Sequence, residues 1–255
     1  MKKVKSWIAL TVALYLVFLL WTLPAHYVVS FLEKRNVSPA KDFSMSGVEG
    51  AWTAGRILVI KTGGVELNNL SWRFQPFGLI FGRLQFALAS DFAGGSVAGV
   101  LRAGLGNVEL AQLQGGVPVV ELGQIYLPGF ELAGVVEIED LALIVKDGYL
   151  SGGSGQLTWR NAKVNSPYQM SLGGVKLDLS TENDGISFKV NDLGEALQTS
   201  GLGFLSSEGK YSFDGTIGAR QGSSPELATF LQILGRPGAD GMVKLGFKGQ
   251  MARFF

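Results

Sequence analysis

The stretch LNNLSWRFQPFGLIFGRLQF, Leu67–Phe86, alternates apolar side chains with polar or small ones on both sides of a central Pro76-Phe77-Gly78 segment. A period of two residues predicts β-strands with one buried face and one wetter face. Proline followed closely by glycine favours a turn between the two strands. The stretch contains no cysteine, histidine or carboxylate, so we interpret it as two strands of a rigid surface whose aromatic stripe is core.

The same period dominates the chain from Phe43 onward. Its later apolar positions are Val136 and Ile138; Leu157 and Trp159; Leu177 and Leu179; Ile186, Phe188 and Val190; and Tyr211 and Phe213. Turn-forming pairs separate the runs: Gly63-Gly64, Gly94-Gly95, Asp147-Gly148, Gly173-Gly174, Asn183-Asp184-Gly185 and Asp214-Gly215. Roughly a dozen strands at spacings of about 8–12 residues predict a mainly β protein, either an antiparallel curved sheet or a β-sandwich.

One or two short helices interrupt this pattern. Ser224 is a typical N-cap, Pro225 suits the first helical position, and Gly235 follows the last apolar residue at helical spacing. The segment NDLGEALQ near Asp192 is either one helical turn or a loop. Pro118, with Pro128, argues against a central strand over GGVPVVELGQIYLPGFEL.

The N-terminal region predicts a membrane anchor. Three lysines precede an uncharged run from Trp7 to Leu23, and a membrane-spanning helix takes about 17–25 residues. The lysines favour a cytoplasmic N-terminus. A cleavable signal peptide is the alternative, but its apolar region is usually about 7–15 residues long, and Leu23 stands where a small residue is wanted.

These features divide the chain into four parts. Residues 1–6 form a short cytoplasmic end and residues 7–23 a transmembrane helix. Residues 24–42 form a juxtamembrane segment that continues as a helix to about Arg35 and ends in a linker. Residues 43–255 form a periplasmic β-rich domain, so we expect a single-pass protein of the bacterial inner membrane.

Composition argues against several functions. The chain has no cysteine and one histidine, His26, which lies at the predicted membrane boundary, so thiolate chemistry is excluded and a histidine-based catalytic triad is not supported. Glu137 and Glu139 alternate with apolar residues and fit the solvated face of a strand. The net charge of +1 includes three leading lysines, which leaves no basic patch for nucleic acid. We expect no enzyme activity, no cofactor and no metal.

The densest aromatic cluster is the candidate binding surface. Core packing is the ordinary role of such residues, and the alternative is an apolar surface for lipid or a partner protein. Three arginines flank the aromatic residues, as positive charges would flank a lipid phosphate. The candidates are Trp52, Trp72, Phe74, Phe77, Phe81, Arg56, Arg73 and Arg83.

Several motifs make the chain resemble the inner-membrane protein N family of the bacterial type II secretion system. LPAHYV closes the anchor, and SGVEGAWTAGR resembles the family's Gly-x-x-Trp-x-Gly element, here Gly50, Trp52 and Gly55. LSWRFQPFGLIFGRL, VKDGYLSGGSGQLTWRNAKV and LGRPGADGMVKLGFKGQM resemble its other elements. The resemblance implies a bitopic accessory protein of a machine that exports folded proteins through an outer-membrane secretin.

Two functions remain open from the sequence. The first is a scaffold that stabilises the secretion complex and binds its other inner-membrane or periplasmic components, with strand edges available for pairing. The second is a lipid-binding or lipid-transfer module, because the family also looks distantly like periplasmic β-groove proteins of lipid transport. In that case a curved sheet shelters an acyl chain, and membrane lipid is a groove ligand as well as the anchor's surroundings.

Overall fold

The computed structural model of the chain describes residues 7, 11–12, 14–15, 18–19, 21–34, 44–62, 65–92, 94–120, 129–166, 169–183, 185–251 and 253. Its strands form one antiparallel sheet of 13 strands that follow each other in sequence order. The single sheet answers the question left open by the sequence: the protein has a curved sheet and not a sandwich.

The strands vary in length from eight to 18 residues. Their bounds are β1 Ser44–Ala51, β2 Ala54–Thr62, β3 Val65–Phe74, β4 Leu84–Phe92, β5 Gly95–Ala103, β6 Asn107–Pro118, β7 Glu131–Lys146, β8 Tyr149–Ser166, β9 Met170–Glu182, β10 Gly185–Asp192, β11 Leu197–Ser206, β12 Lys210–Ala219 and β13 Val243–Gln250.

Among the described residues, three helices with defined bounds accompany the sheet: the α-helices α1 Ala25–Lys34 and α2 Pro225–Leu234, and the 3₁₀ helix Pro76–Phe81. The prediction of α2 is confirmed, since the Ser224 hydroxyl accepts a hydrogen bond from the Leu227 amide at 3.4 Å and Gly235 follows the helix. The segment after Asp192 is a loop that leads into β11.

Cross-strand pairing gives the sheet an apolar face. Residues directly opposite each other on neighbouring strands point to the same side. One row of such partners runs from β3 to β7 as Phe74, Phe86, Leu101, Leu110 and Leu143. We call the side that carries this row the apolar face, and the other side the polar face.

The polar face carries cross-strand ion pairs. Glu49 and Arg56 approach to 2.7 Å, Lys61 and Glu66 to 3.0 Å, and Arg102 and Glu109 to 3.0 Å. The members of each pair are direct register partners. Because the pairs are at least partly exposed, each contributes about 0–1 kcal/mol to stability. They identify the solvent-exposed side of the sheet but add little to its stability.

The sheet curls toward its apolar face around β9. Alternate strands of a flat sheet lie about 9.5 Å apart, twice the usual strand spacing, yet Cα atoms of β8 and β10 approach within 8 Å. Ile186 of β10 is only 1% exposed, and a Cβ atom added at Gly153 of β8 would lie 3.0 Å from its Cδ1 atom. The two strands therefore touch across β9 on the apolar side.

Helix α2 covers part of the apolar face. Leu227 and Leu231 of α2 are 0% and 4% exposed and pack on Val164, Met170 and Leu197. The helix also contacts β9, β12 and β13. This cluster is the main core where the sheet has a second layer.

The opposite margin of the sheet is joined to the N-terminal segment. The Trp52 amide donates to the Leu23 carbonyl at 3.1 Å, and the Thr53 hydroxyl donates to the Trp21 carbonyl at 3.3 Å. Pro24 forms a β-bridge with Ala51. We call this end of the strands, where β1 and β3 finish, the Trp21 end.

Within the described residues, no helix has the length and hydropathy needed to cross a membrane. The predicted span over 7–23 is described at only some positions, which are helical from Trp7 to Trp21. Positions 8–10, 13, 16–17 and 20 lie outside the described residues, as do the predicted cytoplasmic end 1–6 and the linker after Lys34. The anchor therefore stays a prediction.

Two predicted turns are wrong. Gly173-Gly174 lies inside β9 and Asp214-Gly215 inside β12. Gly173 has a φ of 92° at an irregularity in the pairing with β8, and glycine adopts such a backbone without steric cost. Gly215 lies opposite Gly201 within the ladder, beside the Phe213 ring.

The prediction that proline excludes a central strand is also wrong for Pro118. This residue ends β6 and pairs with Val135 of β7. Strand β5 pairs with β6 only as far as Gly116, so Pro118 has a strand on one side alone. Its missing N–H is therefore tolerated as it is at a sheet edge. Pro128 lies outside the described residues.

Candidate functional site

Trp52 and Phe74 lie in an aromatic cluster at the Trp21 end. The Phe74 ring centroid is 5.2 Å from that of Trp52, 5.8 Å from that of Trp21 and 5.4 Å from that of Phe86. Phe74 is only 7% exposed. These two candidates therefore pack the sheet against the residue that ends the N-terminal helical segment, as a core and not as an open surface.

Trp72 extends the same cluster across the strands. It lies opposite Gly55 of β2, and a Cβ atom at Gly55 would overlap its ring. Its indole N–H donates to the carbonyls of Ala51 and Trp52 at 3.2 and 3.0 Å. A half-buried tryptophan thus has its one polar group satisfied, which fixes the β1–β2 turn.

Phe77 and Phe81 have a different environment, because they lie on the 3₁₀ helix between β3 and β4. They are 78% and 79% exposed, with Ile80 at 76% and Leu79 at 53%. We call Phe77, Leu79, Ile80 and Phe81 the apolar tip. Four exposed apolar residues in one short helix form a surface that the described part of the chain leaves uncovered.

The three candidate arginines lie away from the aromatic cluster. Arg56 pairs with Glu49 on the polar face. Arg73 alternates with Phe74 and lies opposite Ala87, so it is also on the polar face. Arg83 follows the apolar tip and lies 4.0 Å from Glu109. The eight candidates therefore form three groups: a packed cluster, an exposed tip and charges on the polar side.

A second aromatic group lies near the other edge of the sheet. Phe188, Phe213 and Phe247 stack across β10, β12 and β13 with centroid distances of 6.1 and 6.2 Å. The strand between the first two has Gly203 opposite both Phe188 and Phe213. Phe247 is 55% exposed on the outermost strand. The alternation of apolar residues predicted strands here, but only the pairing of the strands shows that the three rings lie side by side.

Over the central strands, the described residues bury the apolar face only in part. A row of register partners crosses β7 to β10 as Ile138, Leu157, Leu177 and Val190. All four are half-buried, although they lie on the apolar face. Each strand contributes one member of this row, so the alternation within single strands predicted the four apolar positions but not that they lie side by side.

The described residues offer no evident catalytic centre. No group of three or more His, Asp or Glu side chains among them could hold a metal ion. The His26 ring lies beside that of Tyr27, with centroids 4.0 Å apart and an angle of 40° between the ring planes. The arrangement is suited to binding apolar groups.

The chain is similar to a known protein family. The family model described as type II secretion system (T2SS), protein N, matches residues 41–246. The chain belongs to this family. Searches of curated proteins and of solved structures find no match to the chain.

The match to T2SS protein N covers nearly the whole sheet, the apolar tip and helix α2. Residues 41–246 include the apolar tip, helix α2 and every strand through the start of β13. Family membership makes the chain a component of the type II secretion system and confirms the resemblance seen in the motifs.

One half-buried carboxylate of this T2SS protein N domain, Asp192, has a clear structural role. Burial raises the pKa of Asp192, but hydrogen bonds from the Thr199 and Gly194 amides and from the Arg220 guanidinium lower it, and the pKa falls below its ordinary value. The distances are 2.9, 2.8 and 2.6 Å. Asp192 thereby ties the β10–β11 loop to the segment that leads into α2.

Two exposed ion pairs shift pKa values without forming a site. The hydrogen bond and the charge of Glu137 raise the pKa of Arg160 above its ordinary value. Glu208 raises the pKa of Lys210 in the same way. Both cations are solvent-exposed surface groups that stay charged at neutral pH.

Proposed function

We propose that this T2SS protein N family member is a non-enzymatic scaffold of the type II secretion machinery. Residues 7–23 anchor it in the inner membrane with the N-terminus in the cytoplasm, and the sheet lies in the periplasm. There it stabilises the assembly that exports folded proteins across the outer membrane. Its partners are other inner-membrane or periplasmic components of the same system.

The exposed outer strand β13 carries this proposal. Six of its eight residues are exposed, and among the described strands it pairs with β12 alone. An open edge strand offers unpaired N–H and C=O groups to another chain. Phe247 adds an apolar contact point, since it is 55% exposed there.

Charge on β13 favours a particular kind of partner. Lys244 and Lys248 lie on the polar face of the strand, opposite Thr216 and Ser212. Lysine at an edge discourages two copies of the same strand from pairing, because like charges directly opposite destabilise a sheet. A partner strand with carboxylates at the facing positions would be attracted.

The junction with the N-terminal segment supports anchoring. Trp21 contacts Phe74, and its carbonyl accepts a hydrogen bond from Thr53. These two contacts therefore fix the sheet directly to Trp21, near the end of the predicted span. A scaffold held in this way presents β13 at the far margin of the sheet.

Substitution of Phe247 tests the scaffold. We expect Phe247→Ser to reduce the amount of secreted substrate about tenfold or more, since loss of an interface hot spot costs 1.4 kcal/mol or more in binding. Leu202→Ser is the matched control, because Leu202 is also exposed, at 65%, but lies on the inner strand β11. Normal secretion by F247S, or an equal defect in L202S, would contradict the proposal.

Lipid handling is the second candidate, favoured by the half-buried row Ile138, Leu157, Leu177 and Val190. An apolar face that curls around β9 and stays partly open matches the shape of an acyl chain. The row crosses at least four strands, which is about 14 Å at the usual strand spacing. Lipid would then cover this part of the apolar face, as α2 covers the neighbouring part.

Charges on the apolar face test lipid handling. Val108 and Tyr211 lie on this face and are 37% and 40% exposed, so Val108→Asp and Tyr211→Asp should fold. Native mass spectrometry of the full chain should show a stoichiometric phospholipid that both variants lose and that Leu202→Lys, a charge on the polar face, retains. The same lipid content in all four proteins would assign the lipid to the anchor and refute the groove.

A further inference from the structure

The apolar tip lies at the same end of the sheet as the N-terminal helical segment. Phe74, the last residue of β3, contacts Trp21, and the 3₁₀ helix that carries the tip begins two residues later at Pro76. The Phe74 amide also donates to the Thr53 carbonyl at 2.6 Å. These contacts keep the tip beside the point where the predicted span ends.

The turn between β5 and β6 extends the exposed apolar surface. Leu84, just after the tip, pairs with Ala103 at the end of β5, so the following turn lies at the Trp21 end as well. Leu105 in that turn is fully exposed. Five apolar side chains at one end of the sheet thus face away from its core.

The residues next to this surface are of the types that occur where proteins meet a membrane interface. Trp21 and Tyr27 are 47% and 62% exposed at the same end, and amphipathic aromatic residues concentrate at the headgroup level of membranes. Arg83 follows the tip and is 53% exposed on its side chain, within reach of a lipid phosphate. Exposed aromatic and aliphatic residues next to a basic residue are the pattern of interfacial insertion.

From this arrangement we propose that the apolar tip inserts into the outer, periplasmic leaflet of the inner membrane. The bilayer is the second attachment of the sheet, in addition to the anchor. This inference rests on the proposed anchor, because the anchor brings the Trp21 end to the membrane surface. Two attachments fix the tilt of the sheet and direct β13 in a constant orientation.

The backbone of the tip is built to hold this surface outward. Pro76 starts the 3₁₀ helix, and Gly82 ends it with a φ of 66°, a left-handed conformation that favours glycine. Gly78 is buried beneath the helix, where a Cβ atom would lie 2.8 Å from the Arg83 carbonyl oxygen. Gly78 therefore faces the sheet while the four large apolar residues face away.

Fluorescence quenching by brominated lipid tests the insertion. The chain has no cysteine, so a single introduced cysteine can carry an environment-sensitive fluorophore in the full-length protein. The label is placed at Ile80→Cys in the tip, at Ile233→Cys on α2 and at Leu14→Cys in the predicted span. The proteins are reconstituted in phosphatidylethanolamine–phosphatidylglycerol vesicles with or without dibrominated acyl chains.

We expect strong quenching of the label at position 80, since interfacial side chains lie about 5–10 Å into the headgroup–acyl boundary. The label at position 233 should be unaffected, because Ile233 is 68% exposed at the opposite end of the strands. Phe77→Ser together with Phe81→Ser should weaken quenching at position 80. Both replaced side chains are exposed, so this double variant keeps the fold.

The three labels separate failure of the tip from failure of the anchor. Quenching at position 14 with none at position 80 would refute insertion of the tip and leave the anchor standing. Quenching at neither position would refute both. Quenching at position 80 that persists unchanged in the double serine variant would also overturn the proposal, because the tip would then not be the inserting group.

Discussion

Glycines set the packing of the aromatic residues on the apolar face. The Phe188 and Phe213 rings lie nearly parallel, with an angle of 4° between their planes, over the strand that contains Gly201 and Gly203. A Cβ atom at either glycine would overlap one of these rings. An ordinary strand residue in their place would separate the stack.

Gly203→Ala tests this packing. We expect it to lower the free energy of unfolding by about 1–3 kcal/mol, the usual cost of overfilling a packed site, and to weaken the near-ultraviolet circular dichroism of the aromatic stack. Gly246→Ala on β13 is the control, because its nearest neighbour would be the Asp214 Oδ1 atom at 3.6 Å. Equal thermal stability of the two variants would contradict the account.

Asp192 should make stability depend on acid pH. Its pKa is lower in the folded protein, so its contribution is present above the unfolded value of about 3.9 and is lost as the pH falls through the folded value. We expect Asp192→Asn to cost about 1–3 kcal/mol at pH 7, because asparagine has one acceptor oxygen where aspartate has two and carries no charge to pair with Arg220. Thermal unfolding at a series of pH values should show the difference from the wild type shrinking below about pH 4; a constant difference would be inconsistent with this role.

The tryptophans show how far single residues could be predicted. Trp72 and Trp159 share a Leu-x-Trp-Arg sequence, and both indole N–H groups donate to a main-chain carbonyl, that of Ala51 at the end of β1 and that of Ala133 on β7. The two-residue alternation around both tryptophans predicted their strands correctly. The hydrogen bonds could not be predicted, because they depend on the register that brings Ala51 and Ala133 beside them.

At the scale of elements, α2 was predictable because its signals are local. Ser224, Pro225 and Gly235 mark its ends within the helix's own sequence. Hairpin turns were predicted less well, because glycine occurs both in turns and at irregular positions inside strands. Asp147-Gly148 forms a turn with positive φ at both residues, whereas Gly173 has the same sign of φ inside β9.

Helix α2 should stabilise the sheet through its buried leucines. Leu227 is fully buried and contacts the main apolar cluster, so Leu227→Ala should lower the free energy of unfolding by about 2–5 kcal/mol. Ile233→Ala on the exposed side of the same helix should change it by about 0.5 kcal/mol or less. Chemical denaturation measures both, and an equal effect of the two variants would contradict the packing described for α2.

The apolar tip shows where alternation fails as a guide. Phe77 and Phe81 read as core from their hydrophobicity, but the 3₁₀ helix breaks the two-residue period and places them outside the sheet. Their exposure follows from Pro76 and Gly82, which fix the ends of the helix. The sequence contained these signals, although it could not show which way the helix faces.

At the scale of the molecule, the fold class followed from the period, whereas the order of strands did not. A dozen alternating segments fit a sandwich as well as one sheet. Irregularities such as those at Asn69, Gln112 and Asp140, which have positive φ inside strands, keep the apolar residues of long strands on one face. The positions of these irregularities cannot be predicted from a local sequence pattern. Without them, the apolar face would not be continuous across the sheet.

The most direct test of the scaffold is photocrosslinking from β13 in cells with an active type II secretion system. A benzophenone amino acid replaces Phe247, and the same group at Leu202 is the control. We predict a light-dependent product that joins position 247, and not position 202, to another component of the secretion machinery. Products with lipid alone, or equal products from both positions, would contradict a scaffold that works through its open edge.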